Sequence, residues 1–152
     1  MNVEYVNPFI ISTVVTFETM LKVTLKSGKP QMKREPFPSY DISGIIGLSG
    51  DASGSIAISY PKIVALKAVS KFLGAEVKIV GADVTDAIGE LTNIIAGSAK
   101  KDLHGLNVSI SLPNVVIGKD HILTGPRNVE SIMVPFTSEI GHIALEICLK
   151  TP

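Results

Sequence analysis

The residues from Asp83 to His104 alternate apolar and polar side chains with the period of an α-helix. At about 100° per residue, one side of this helix is apolar, with Val84, Ile88, Leu91 and Ile95. The opposite side, here called the polar face, falls within a sector roughly 60° wide and carries Asp86, Glu90, Asn93 and Gly97. The pattern predicts a helix that packs its apolar side on a core and presents the polar face outward.

Two interpretations of the polar face follow from the residues. In the structural one, Asp86 is an ordinary acid in the first turn, three residues after an N-cap at Asp83, and the rest of the face is simply solvated. In the functional one, the face is a site. The glycines Gly89 and Gly97 favour a site, because each costs the helix roughly 0.5–1 kcal/mol relative to alanine. Their position on or beside the polar face indicates that another backbone or a partner protein approaches closely there.

The pattern predicts further helices and strands along the chain. One helix is expected to begin at Asn7–Pro8, and another to run from Pro61 to Gly74. Strands are expected over 21–25, 42–49, 54–60, 107–112, 131–136 and 141–149. The order helix, strand, hairpin occurs twice, which predicts an internal pseudo-two-fold. We expect an α/β chain of the α+β type, with long amphipathic helices on a mainly antiparallel sheet, in a single domain over 1–152.

Composition limits the classes of partner. The formal net charge is zero, so bulk electrostatics favours neither nucleic acid nor an anionic membrane surface. The apolar share of 45% with a mean hydropathy of +0.37 predicts that some apolar surface is shared between subunits of a homodimer. The single cysteine, Cys148, excludes an intrachain disulfide and is expected to pack in the core of a cytoplasmic protein. No apolar run predicts a secretion signal or a membrane span.

Other chemical motifs are weak. The three histidines lie in separate segments without ligand spacing, and His104 is expected to be a favourable charge at a helix C-terminus. The glycine series over 44–54 lacks the lysine and serine of a phosphate loop and leads into a strand, so turns and close packing explain it better. The sequence has no G-x-S-x-G elbow. The polar face is therefore the one constellation that calls for a mechanism.

The spacing Asp86-x3-Glu90-x2-Asn93, followed by Pro113, resembles the D/S-x3-E-x2-N signature and downstream proline of the CheC, CheX and FliY phosphatases of bacterial chemotaxis. The segment Val6-Asn7-Pro8-Phe9-Ile10, the glycine-bearing hairpin and the chain length resemble the CheX group. A single polar triad also favours CheX over CheC, in which both halves usually keep the motif. The spacing from Asn93 to Pro113 is slightly shorter than in the family.

The resemblance implies a phosphatase for the phosphoaspartate of a phosphorylated CheY-type response regulator. It implies Asn93 as the residue that positions an in-line water and Glu90 as a partner for the regulator's active-site lysine. Asp86 is expected either to contact the regulator or to hold the start of the helix, and Pro113 is expected to contact the regulator. Gly97, from its position on the polar face and not from the resemblance, is expected to leave room for the regulator's loops at the contact. The resemblance further implies a homodimer that binds no cofactor of its own, with Mg²⁺ held by the regulator.

Two other classes of function remain open. A non-catalytic dimeric scaffold, related to the flagellar switch components, would share the fold but would not need Glu90 and Asn93 together. A small-ligand sensor would need a concave apolar pocket with convergent polar groups. The sequence shows no such pocket, so the phosphatase is the function that we expect.

Overall fold

The centre of the fold is an antiparallel hairpin, as the alternating apolar residues of 42–60 predict. We describe the protein from a computed structural model over residues 3–33, 39–125 and 128–151. Its helices are α1 (Val3–Thr16), α2 (Lys62–Leu73) and α3 (Ala82–Lys100). Its strands are β1 (Lys26–Ser27), β2 (Gln31–Met32), β3 (Ile42–Gly50), β4 (Ser53–Tyr60), β5 (Val108–Ile110), β6 (Asn114–Ile117), β7 (Ser131–Thr137) and β8 (Ile143–Lys150).

The strands form one eight-stranded sheet in the order β1-β7-β8-β4-β3-β5, with β2 paired to β7 and β6 paired to β3. Every pairing among the described strands is antiparallel. The α+β class is thus confirmed, as three helices packed on an antiparallel sheet. The hairpins predicted over 42–60 and 131–149 and the helix after Pro61 are confirmed within a few residues at their ends.

The two faces of the sheet differ in chemistry. The inner face packs on the helices, and its fully buried residues include Ile46, Ile56, Ile58, Leu145 and Ile147. Because side chains alternate along a strand, the intervening residues point to the outer face. That face buries the polar side chains of Ser43, Ser59 and Glu146. The helices and the inner face therefore form the main core, while the outer face carries a polar layer.

Helix α3 approaches β3 closely because Gly44 has no side chain. A Cβ atom at Gly44 would lie 2.0 Å from Oγ1 of Thr92 and 3.1 Å from Cγ2 of Ile88. Thr92 itself is fully buried and donates a 2.7 Å hydrogen bond to the carbonyl oxygen of Ile88. The prediction that close packing explains this glycine is confirmed.

Two predictions are wrong at the N-terminal side. Helix α1 already contains Val3 and carries Pro8 in its interior, although we expected it to begin at Asn7–Pro8. Burial of Val6 ahead of the proline favours the longer helix despite the N–H that proline lacks. The strand expected over 21–25 is absent, since a π-helical turn covers Phe17–Leu21 and ends at Lys22 in the left-handed region. The apolar residues alternate over 21–25 because their side chains are buried, although this segment does not pair as a strand.

Helix α3 is confirmed, with two corrections at its ends. Its N-cap is Gly81, and Asp83 lies inside the first turn rather than at the cap. The helix stops at Lys100, so His104 lies beyond it and not in its last turn. Leu103 is buried at 2% exposure in the turn that follows, which explains why the apolar period continues past the helix. None of the described helices is long and apolar enough to cross a membrane.

Candidate active site

The polar face of α3 is exposed to solvent, as its periodicity predicts. The side chains of Asp86 and Glu90 are exposed, whereas Asn93 and Gly97 are half-buried. Among the described residues, no hydrogen bond or ion pair occupies the side chains of Asp86, Glu90 or Asn93. An acid and a carboxamide one turn apart are therefore available to an external group.

The opposite side of α3 fixes the orientation of this face. Val84, Ile88, Leu91 and Ile95 are each fully buried. Helix α1 packs alongside, and the hydroxyl of Ser12 donates a 2.7 Å hydrogen bond to the carbonyl oxygen of Ile95. Rotating α3 would expose these apolar residues and break this contact, so the packing holds the polar face outward.

Pro113 lies against α3, although nineteen residues separate it from Asn93 along the chain. A Cβ atom at Gly89 would lie 3.5 Å from Cγ of Pro113, which is ordinary van der Waals contact. Gly89 precedes Glu90 directly and lies on the flank of the polar face. Gly97 is less enclosed, since a Cβ there would meet only Cδ1 of Ile110, at 3.9 Å. The close approach beside Gly89 thus comes from the chain's own proline.

The segment between Ile110 and Pro113 is fastened to β3. Ser111 donates its N–H to the carbonyl oxygen of Gly47 at 2.9 Å, and its hydroxyl accepts from the N–H of Gly47 at 2.9 Å. The same hydroxyl donates to the carbonyl oxygen of Leu112 at 2.9 Å. The side chain of Leu112 is nevertheless 86% exposed. The sequence analysis missed this residue, because a single leucine beside a proline has no local signal.

The outer face holds a separate polar cluster. Lys33 and Glu146 form an ion pair with side chains only 7% and 9% exposed. Glu146 also accepts a 3.0 Å hydrogen bond from the hydroxyl of Ser39, and Lys33 donates to the carbonyl oxygen of Leu123 at 3.0 Å. A cavity of about 120 Å³ adjoins this pair and reaches Cys148.

Cys148 is buried, as expected of a core cysteine. His121 also belongs to the outer face: its Nδ1 lies 2.9 Å from the carbonyl oxygen of Gly118, and its Nε2 lies 2.7 Å from the hydroxyl of Ser43. Over the described ranges, no group of three or more histidine, cysteine or acidic side chains is placed to hold a metal ion.

Comparison with known proteins identifies the fold. A crystal structure of a CheC-like superfamily protein from Shewanella sp. PV-4 superimposes on this structure with a TM-score of 0.92. The two sequences are 36% identical, and the match covers 99% of this chain and 99% of that one. The crystal structure of the CheX–CheY–BeF3–Mg²⁺ complex from Borrelia burgdorferi matches with a TM-score of 0.84 and 27% identity, over 98% of this chain and 99% of that one. The fold is therefore that of the CheC-like superfamily.

The sequence comparisons narrow the class. The family described as "Chemotaxis phosphatase CheX" matches residues 42–137. The CheY-P phosphatase CheX of Thermotoga maritima is 33% identical over 123 residues, which is 79% of each chain. This chain belongs to the CheX family of chemotaxis phosphatases, which confirms the resemblance found in the sequence.

Proposed function

We propose that this chain is a phosphatase that hydrolyses the phosphoaspartate of a CheY-type response regulator, with Asn93 and Glu90 as its catalytic residues. The observation that carries the proposal is the pair of side chains one turn apart on the exposed face of α3, neither of which has a partner among the described residues. Family membership supports the phosphatase class, and the Thermotoga relative acts on CheY-P.

The chemistry needs little from the phosphatase. Water attacks phosphorus, the bond between phosphorus and the aspartyl oxygen breaks, and the products are inorganic phosphate and the free carboxylate. Such a transfer depends on placing the nucleophile in line and on stabilising charge. The carboxamide of Asn93 can accept a hydrogen bond from water and donate another to a phosphoryl oxygen. It does so without competing as a nucleophile.

Glu90 is suited to positioning the regulator. Its exposed carboxylate, one turn before Asn93 on the same face, can pair with a lysine ammonium of the partner and set the register of docking. Asp86 would contact the regulator one turn further toward the N-terminus. Gly97 would leave room for the partner's loops, and Pro113 would border the contact from its place against Gly89.

The regulator would supply the divalent metal. In the Borrelia complex, CheX is found with CheY, BeF3 and Mg²⁺. We expect the same division of labour here, in which this chain contributes water-positioning and docking groups and binds no cofactor of its own. Mg²⁺ on the regulator would neutralise charge on the phosphoryl group.

The proposal includes a homodimer and an internal pseudo-two-fold. The apolar composition supports shared surface between subunits. The strand pairing supports the pseudo-two-fold, because β1 and β2 of the first half pair with β7 of the second, while β5 and β6 pair with β3 of the first. Only α3 of the second half carries the triad of Asp86, Glu90 and Asn93.

The test is the decay of a phosphorylated CheY-type regulator in Mg²⁺, with catalytic amounts of this protein, of Asn93→Ala, or of neither. We expect acceleration by the parent and loss of most of it in Asn93→Ala, with unchanged helix content. Asn107→Ala removes an exposed carboxamide before β5 and is the matched control, expected to retain activity. Full activity in Asn93→Ala would reject the role of this residue.

The scaffold function is the alternative outcome of the same experiment. A scaffold would bind the regulator without shortening the lifetime of its phosphoaspartate. If the parent binds but accelerates nothing, the polar face is a docking surface only.

A further inference from the structure

We propose that Leu112 is an apolar docking anchor, which inserts into the surface of the response regulator beside its phosphorylated aspartate and determines how tightly the regulator is held. This inference rests on the proposed function for the identity of the partner. Nothing in the D/S-x3-E-x2-N signature includes this residue. The argument combines the exposure of Leu112, the rigidity of its backbone and its place beside α3.

Leu112 is held rigidly in an exposed position. Its side chain is 86% exposed, more than that of any other exposed large apolar residue in the described ranges. On its N-terminal side, Ser111 makes three hydrogen bonds of 2.9 Å, two to Gly47 and one to the carbonyl oxygen of Leu112. On its C-terminal side, Pro113 packs against Gly89. Because the backbone is held on both sides of Leu112, the residue loses little backbone freedom when a partner binds its side chain.

The segment runs alongside the turn of α3 that carries Asn93. Ile110 lies beside Gly97 at one end and Pro113 beside Gly89 at the other. The two glycines are about 12 Å apart along the helix, and an extended chain covers about 10 Å between Ile110 and Pro113. Leu112 therefore lies between these contacts, next to the turn of Asn93. The backbone of Leu112 is thus held between two contacts with α3, at Gly89 and Gly97, that flank the turn of the proposed water-positioning residue.

The position of Leu112 favours the regulator as the protein that covers its side chain. Leu112 is continuous with the polar face, so a protein that places its phosphoaspartate at Asn93 must cover or avoid it. Burial of a leucine side chain supplies affinity that does not depend on the protonation or phosphorylation chemistry. We infer that the regulator offers an apolar depression beside its acidic pocket.

The experiment separates binding from chemistry. With the full-length protein, the KM and kcat for dephosphorylation of the regulator are measured for the parent, Leu112→Ser and Leu112→Met, together with the Kd for the regulator activated by BeF3⁻ and Mg²⁺. We expect Leu112→Ser to raise KM and Kd about tenfold with kcat nearly unchanged. Leu112→Met keeps an apolar side chain of similar volume and is expected to restore both constants to within about twofold.

The control is Ile122→Ser, which removes an exposed isoleucine that follows His121 on the outer face. It is expected to leave KM and Kd unchanged. If Leu112→Ser leaves KM and Kd at the parental values while the parent is active, the anchor is rejected and the phosphatase function stands. If the parent has no phosphatase activity but the Kd for the activated regulator is still tenfold higher for Leu112→Ser than for the parent, the anchor stands and the proposed phosphatase function fails.

Two further outcomes reject the anchor. If the parent does not bind the activated regulator at all, both proposals fail. If Leu112→Ser instead shifts the sedimentation of this protein alone toward a smaller species, the residue contacts a second copy of the chain and not the regulator.

Discussion

Gly44 and Thr92 meet where α3 crosses β3, and a Cβ atom at Gly44 would come within 2.0 Å of Oγ1 of Thr92. The helix that carries the polar face therefore rests directly on the sheet. Thr92 is on the same helix as Asn93 and directly precedes it. The backbone position of the proposed catalytic residue thus depends on the absence of a side chain on a neighbouring strand.

Gly44→Ala is expected to lower the free energy of unfolding by about 1–3 kcal/mol, because the added methyl overlaps Thr92. Removing the hydroxyl and methyl of that residue in Gly44→Ala/Thr92→Ala makes room and should recover part of the loss. Urea unfolding followed by circular dichroism measures both. Gly89→Ala is the control, since a Cβ there meets Pro113 only at 3.5 Å, and it should be neutral or stabilising by up to about 1 kcal/mol. Equal losses at the two glycines would contradict this packing argument.

Glu90→Gln is expected to raise the KM for the phosphorylated regulator several-fold at low ionic strength, with a smaller change in kcat. The carboxylate is exposed, so its attraction for a lysine of the partner is screened by salt. The difference between parent and variant should therefore shrink as salt is added. Steady-state kinetics at two ionic strengths measure this effect. Glu139→Gln makes the same charge change at an exposed residue between β7 and β8, and should leave KM unchanged. A loss confined to kcat would assign Glu90 to the chemical step.

Lys33→Met is expected to destabilise the protein by about 3–5 kcal/mol, because it leaves the carboxylate of Glu146 buried without its cation. Replacing both charges in Lys33→Met/Glu146→Leu should recover most of this loss, since neither buried charge remains. Chemical unfolding measures the two variants beside Lys67→Met, which removes an exposed lysine of α2 and should change little. A Lys33→Met variant as stable as Lys67→Met would contradict the penalty expected for an unpaired buried carboxylate.

The protein is expected to lose stability at alkaline pH because of Tyr60, and the substitution Tyr60→Phe is expected to remove that loss. Burial raises the pKa of the Tyr60 phenol above its usual value of 10.0. The unfolded chain then releases this proton above pH 10 while the folded chain keeps it, so stability is full below pH 10 and falls as the pH rises above it. The hydroxyl has no hydrogen-bond partner among the described residues, so the substitution itself should cost little near pH 7. Unfolding at pH 7 and pH 11 tests this, and parallel pH dependence in both proteins would contradict it.

The sequence by itself determined the polar face of α3 and the hairpins of the sheet. Both are repeats of short period, 3.6 residues for the helix and two for a strand, so local patterning is enough to place Asp86, Glu90 and Asn93 together. It also supplied the family resemblance, because that signature lies within a single helix. The local pattern did not determine the ends of the elements. Apolar residues at 21, 23 and 25 alternate as a strand would, yet they are buried without a pairing partner.

Only the tertiary structure decided what surrounds the polar face. Pro113 packs on Gly89, Ser111 fastens its segment to Gly47, and Leu112 is left exposed beside α3. Nor could the sequence pair Lys33 with Glu146, which are 113 residues apart. Such contacts join residues that are distant along the chain, and no local periodicity encodes them. They arise from how the sheet brings its strands together, so the chain's pattern defines the polar face of α3 and its folding defines which residues surround that face.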